Sequence, residues 1–346
     1  MITANMRYGA LAAKVRAMYG KRLRFSDFEA MAALHTEAEV LEYLRTQPGW
    51  AAAVASLGGS YVGRVELEGA LGQALWQAYS GRSHFVPKGA RALVAFPQRL
   101  AELDEIMFAL RRMKAKGHVK PPSESLYLPK TKVDRKALAT CTDYDGLLAA
   151  AKESIYLPSL LHLRPDTAGA LPDYATTEAL LHAAYYSHMY KVIDKQYGGE
   201  TKSVLLRAFG EEIDRLNLIH ILRLKTYFPG DSRYYSALFP FHYRLKPEKI
   251  KALCDASDVN EVFSLIRETP YASDFSDLSL GEVERRYRQS FYTFQKRLLV
   301  TGTPGVYTAM AYLNIKELEL RALVNVIESV KYGAPYHAEF ARLIGA

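Results

Sequence analysis

The chain is predicted to be all-α, built from three similar helical units. Two observations predict this. Apolar residues recur at steps of three and four through most of the 346 residues, and the strict alternation of a half-buried strand is scarce. One long pattern also returns three times, at a period of roughly 105–115 residues.

The recurring pattern is a long helix, a turn or short helix, and a second long helix with acids near its start. It is read over "LEGALGQALWQAY…RRMKAKG", "EALLHAAYYSHMY…LKTYFPG" and "GEVERRYRQSFYT…IESVKYG". Glu102, Asp214 and Glu319 hold matching places in it. A shorter block precedes each pair: "FSDFEAMAALHTEAEVLEYLRTQPGW", "VDRKALATCTDYDGLLAAAKESIYL" and "LKPEKIKALCDASDVNEVFSLIRETPYA". Each block reads as a small helix, an acid-containing turn and a helix ending near Thr46, Ser154 or Thr269. These repeats divide the chain into units 1–118, 119–233 and 234–346.

The punctuation agrees. Gly and Pro cluster in "SLGGS", "GRSHFVPKG", "VKPPSES", "HLRPDTAGALPDY", "YFPGDS" and "TGTPG", between the periodic blocks. Ser26 with Glu29 three residues later has the spacing of a capping box.

Composition narrows the class. A hydrophobic content of 49% is ample for a buried core, and 24% charged residues is an ordinary globular value. The amphipathic N-terminus "MITANMRYGALAAKVRAMYG" lacks the apolar run of a signal peptide. The longest apolar windows fall short of the ~20 residues a bilayer span needs. A soluble chain is expected. Two cysteines, Cys141 and Cys254, are too few for a disulfide scaffold and form no metal-ligand cluster.

The net charge of +8 is uneven: residues 1–118 carry 16 Lys/Arg against 10 Asp/Glu. Their end, "LRRMKAKGHVK", stacks Arg111, Arg112, Lys114, Lys116 and Lys120. Such a run suits a nucleic-acid patch, whose binding would fall steeply with salt. It suits a solvated helix end better, because cations favour a helix C-terminus. Tyr outnumbers Phe by 24 to 14, and the pairs Tyr185/Tyr186 and Tyr234/Tyr235 suit tyrosine packing between helices or at an interface better than base stacking.

Catalytic patterns are missing from the sequence. It has no Walker A, GxSxG or HExxH motif. "VTGTPG" lacks a following Lys, and Pro304 removes a donor N–H, so it reads as an interhelical turn. His182 and His188 are six apart and fall on different helix faces. No cofactor, metal or catalytic residue is expected.

One polar feature stands out. On the otherwise apolar "YLNIKELELRALVNVIESVKYG", Glu317, Arg321, Asn325 and Glu328 fall at steps of four, four and three, on one helix face. The second unit repeats this in kind, with Glu211 four before Arg215 and Asp214 three before Asn217. The stripe is either an inter-helix pairing network or a surface offered to a partner, since buried polar groups must be paired.

The order of "YGALAAKVRAM", "EEIDRLNLIHILRLK" and "LNIKELELRALVNVIESVKYG", followed by the short helix "AEFARLI", resembles the C subunit of the bacterial and archaeal V/A-type rotary ATPases, the counterpart of the d subunit of eukaryotic V-ATPases. "EVLEYLRTQPGW" resembles a helix end of that family, with Trp50 near the expected aromatic. The likeness spans essentially the whole chain.

The resemblance implies three helical units in a pseudo-threefold, funnel-like arrangement. It implies a non-catalytic central-stalk component at the cytoplasmic face of the membrane. Its partners would be the rotor ring of proteolipid subunits and the central shaft, a coiled-coil protein with a small companion. Neither nucleic acid nor a lipid span would be involved. The stripe residues Glu317, Arg321, Asn325, Glu328, Asp214 and Asn217 then become candidates for inter-repeat or shaft contacts. The first unit is the least regular: Glu102 and Glu105 stand where the second has Asp214 and Asn217, and Arg111 matches Arg223 where the third has Glu328. A helical adaptor for some other protein is the alternative reading.

Overall fold

A computed structural model describes residues 4–58, 62–81, 91–115, 131–167, 169–228, 238–275 and 279–345. The regular structure among them is helical, with no strand. Several expected features lie outside the described residues: the turns "GRSHFVPKG" and "VKPPSES", the pair Tyr234/Tyr235, Lys116 and Lys120, and the unit boundaries at 118 and 233.

By contact, the chain separates into two compact units. Of the described residues, the first comprises those within 4–98 and 292–345, and the second those within 99–115 and 131–291. The first unit therefore draws on both ends of the sequence.

In the first unit lie α1 (Ala4–Tyr19), α2 (Phe25–Ala32), α3 (Glu37–Thr46), α4 (Ala51–Val54), α5 (Arg64–Gly81) and α6 (Arg91–Val94). The C-terminal helices α17 (Val306–Tyr332) and α18 (Glu339–Gly345) complete it. Helix α17 packs against α1, α2, α3, α5, α6 and α18. Its residues 306–313 are buried without a break. A helix apolar all round is a helix surrounded, which explains the unusual sequence of this stretch. It ends at Gly333, whose φ of 60° is left-handed and suits glycine. The Ala334 N–H donates back to Ser329 O at 3.1 Å.

Between these parts run α7 (Phe96–Lys114), α8 (Arg135–Thr140), α9 (Tyr144–Ala150), α10 (Leu157–His162), α11 (Tyr174–Gln196), α12 (Gly199–Tyr227), α13 (Pro247–Asp255), α14 (Val259–Ile266), α15 (Ala272–Phe275) and α16 (Leu280–Val300). The core of the second unit gathers Leu218, Ile221 and Leu222 of α12 with Leu245, Leu253, Val262, Ile266, Tyr271 and Phe275. "TGTPG" is the interhelical turn between α16 and α17, as expected.

The turns inside the short blocks carry N-caps. Thr36 accepts from Glu39 N, Asp143 from Gly146 N, and Asp258 from Asn260 N and Glu261 N. Each fixes the start of the second short helix by satisfying an orphan N–H. The Ser26/Glu29 capping box does not form. Helix α2 begins at Phe25, and Asp27 at its third position accepts from Arg24 N at 2.6 Å. Arg24 is therefore the N-cap, and Leu23 just before it donates its N–H to Glu319 Oε1.

Candidate functional site

The most constrained polar groups are three buried carboxylates on long helices: Glu102 on α7, Asp214 on α12 and Glu319 on α17. Their residues are 0%, 0% and 1% exposed. A buried carboxylate is costly unless donors surround it, so the partners of each are informative.

Asp214 is held by four donors. Oδ1 accepts from Tyr243 N at 2.9 Å, and Oδ2 accepts from Arg244 N at 2.7 Å, Leu245 N at 3.0 Å and the Tyr271 hydroxyl at 2.7 Å. Burial first, then the bond to Asp214, pushes the Tyr271 phenol well above its ordinary range, so it remains a donor. One turn on, Asn217 pairs with the main chain of Phe239 in both directions: its amide donates to Phe239 O at 3.2 Å, and its oxygen accepts from Phe239 N at 2.9 Å. Together the two side chains pin the segment that leads into α13.

Glu319 repeats the arrangement in the first unit. Oε1 accepts from Leu23 N at 2.8 Å and from the Trp50 indole at 3.0 Å. Oε2 accepts from Lys316 Nζ at 3.0 Å, and that ammonium lies 3.6 Å from the Trp50 ring centroid. Leu23 leads into α2 as Leu245 leads into α13.

Glu102 is the third case. Oε1 accepts from Lys132 N at 2.6 Å, just ahead of α8, and Arg99 donates to both of its oxygens at 2.7 and 2.9 Å. The Tyr156 hydroxyl donates to Arg99 O at 2.5 Å. Among the described residues, Trp50, Tyr156 and Tyr271 are the three bulkiest fully buried side chains. Each closes a short block onto the long helix bearing its acid. Periodicity does not reveal this role. A local signal does exist: Tyr156 N donates to Ser154 Oγ and Tyr271 N to Thr269 Oγ1, the same turn at the same offset.

The outer stripe is different in kind. On α17, Glu317 pairs with Arg321 at 2.7 Å, and their side chains are 38% and 62% exposed. Glu328 instead ties α17 to α5: Arg64 bridges Glu328 and Glu68, each at 2.5 Å, and reaches the Tyr332 hydroxyl at 3.2 Å. Asn325 is half-buried. On α12, Arg215 bonds Asp274 at 2.9 Å and lies 3.4 Å from Glu211. The six stripe residues thus divide. Asp214 and Asn217 are spent inside the second unit, Glu328 is bound to α5, Asn325 is half-buried beside it, and Glu317 and Arg321 face solvent as a pair.

The basic end of α7 is partly consumed as well. Arg112 donates to Leu138 O and Cys141 O at 2.8 and 2.7 Å, and Arg111 bonds the Tyr174 hydroxyl. Among the described residues, no group of three or more His, Cys, Asp or Glu could hold a metal ion.

The three buried carboxylates thus hold the chain's own segments together. Comparison with known proteins gives the family. The profile of the ATP synthase (C/AC39) subunit family matches residues 11–338, and the chain belongs to that family. It is similar to the C subunit of the A-type ATP synthase of Methanosphaera stadtmanae, with 24% identity over 337 residues covering 92% of this chain and 82% of the relative. It is similar in the same degree to the C subunit of the A-type ATP synthase of Methanothermobacter thermautotrophicus, at 24% over 335 residues with the same coverage.

Proposed function

We propose that the chain is the non-catalytic central-stalk component of a V/A-type ATPase or ATP synthase. In this reading it sits on the membrane rotor ring and joins it to the central shaft, linking ATP hydrolysis or synthesis to proton or sodium transport. The observation that carries this is the family match over residues 11–338. The two relatives, both named as the C subunit of an A-type ATP synthase, support it, each aligned over 92% of this chain.

The physical chemistry is consistent with such a role. A coupler must transmit torque, so its segments must be stiff, and three carboxylate anchors on long helices supply stiffness. No helix among the described residues is long and apolar enough to cross a membrane. We place the chain peripherally, at the cytoplasmic face of the membrane complex. We also propose the three-unit, pseudo-threefold, funnel-like arrangement, with boundaries near 118 and 233. The matched anchors Glu102, Asp214 and Glu319 support it. Within it, Glu317 and Arg321, with Asn325 and Glu328 beside them, serve as the candidate shaft contact, and Asp214 and Asn217 serve contacts between repeats.

Affinity isolation of the tagged chain from detergent-solubilised membranes tests this. Recovery of a proteolipid ring, a coiled-coil shaft protein with its small companion, and nucleotide-binding subunits is expected. Recovery of none of these, with the chain alone in solution, would replace this reading with that of a helical adaptor.

A further inference from the structure

The three carboxylate anchors differ in one respect. Glu102 reaches Lys132 N across 30 residues of chain, and Asp214 reaches Arg244 N across 30. Glu319 reaches Leu23 N across 296 residues and Trp50 across 269. Two anchors close short loops, and the third joins the two ends of the protein.

Other polar links around Glu319 share this property. Arg16 donates to Leu299 O at 2.8 Å and to Gly302 O at 2.7 Å, capping the C-terminal end of α16 with a cation. The hydroxyls of Tyr19 and Tyr292 lie 3.3 Å apart, and Tyr292 donates to Ile344 O at 3.2 Å. All but the last of these bonds tie the N-terminal helix α1 to the C-terminal stretch of the chain.

We propose that Glu319 is the polar latch of a terminal joint: together with the packing of α1–α3 on α17 it holds the N-terminal helices in place, and the joint opens as one cooperative step separate from the second unit. Closing a longer loop costs more chain entropy, and no short connection keeps these partners near one another once they part. The latch is also more highly charged than the Asp214 anchor. Lys316 lies between Glu319, Gly49 O and the Trp50 ring, so loss of the carboxylate strands a buried ammonium. Asp214, by contrast, is satisfied by three main-chain N–H groups and a phenol.

Hydrogen exchange on the full chain, followed by mass spectrometry over a denaturant series, tests the latch. The variants are Trp50→Phe, Tyr271→Phe and Glu319→Gln. Peptides of α1–α3 and of α17–α18 are expected to lose protection together, at lower denaturant than those of α12–α14. Trp50→Phe, which removes the hydrogen bond to Glu319 and part of the buried ring packed against Lys316, should speed exchange about tenfold or more in that joint and leave α12–α14 unchanged. Tyr271→Phe should do the reverse. If Glu319→Gln does not fold, the two aromatic variants and Arg16→Ala still decide the matter. Loss of protection in α1–α3 apart from α17–α18, or an equal effect of Trp50→Phe on both units, would overturn the proposal.

Discussion

The Tyr271 hydroxyl donates to Asp214 Oδ2 at 2.7 Å, in a position where both residues are almost wholly removed from solvent. The same carboxylate takes three consecutive main-chain N–H groups, from Tyr243 to Leu245. Replacing Asp214 by Asn puts an NH2 against donors and should cost about 3–4 kcal/mol. Tyr271→Phe removes one charge-assisted bond and should cost about 1.5–3 kcal/mol. Urea unfolding midpoints check both. A shift under a third of these values would mean that the loop is held mainly by its apolar contacts.

Gly210 makes a sharper prediction. A Cβ there would meet Tyr243 Cβ and Cγ at 2.5 Å. On an ordinary helix, Gly→Ala stabilises by about 1 kcal/mol. Here Tyr243 sits beside the Asp214 anchor, so Gly210→Ala should instead lower stability by about 1–3 kcal/mol. The same unfolding measurement reads the sign, and a gain in stability would show the segment free to move away.

His182 gives a pH dependence. Burial, then the neighbouring His220, lowers its pKa to about 4, and its Nδ1 has no hydrogen-bond partner. The ring packs 5.2 Å from Phe239. An unfolded histidine titrates at about 6.5. Between these values the unfolded chain binds the extra proton, so stability is present above about 6.5 and is lost as pH falls towards about 4. The loss should be about 1–3 kcal/mol. Comparing wild type with His182→Gln across this range isolates it, and parallel curves would contradict it.

Glu317 and Arg321 should behave in the opposite way. An exposed pair at this spacing contributes about 0.3–0.5 kcal/mol, so reversing both charges should leave the thermal midpoint of the free chain nearly unchanged. If the pair faces the shaft, the same reversal should weaken assembly with it about tenfold or more, with the loss shrinking at high salt. Titration of the shaft protein against each variant at two salt concentrations measures this. Equal affinities would remove the stripe from the interface.

Much of this fold is legible in the sequence. The long helices follow from apolar neighbours three and four positions away, and the matching places of Glu102, Asp214 and Glu319 from the pattern that returns at roughly 105–115 residues. What those carboxylates hold does not follow. Periodicity describes one helix and carries nothing about a partner 296 positions distant, as Leu23 is from Glu319. That blindness also merges two kinds of polar residue into one stripe. Asp214 and Glu317 both interrupt an apolar helix, yet Asp214 is buried against a returning main chain and Glu317 meets solvent. The start of α2 escapes the local pattern for a related reason: the Glu319 carboxylate holds Leu23, and the helix begins two residues after it.

Coupling is tested most directly by ATP-driven ion pumping by the whole membrane complex with and without this chain. Complexes lacking it should hydrolyse ATP without moving ions, and adding the purified chain should restore pumping. Undiminished pumping in its absence would contradict the coupling role.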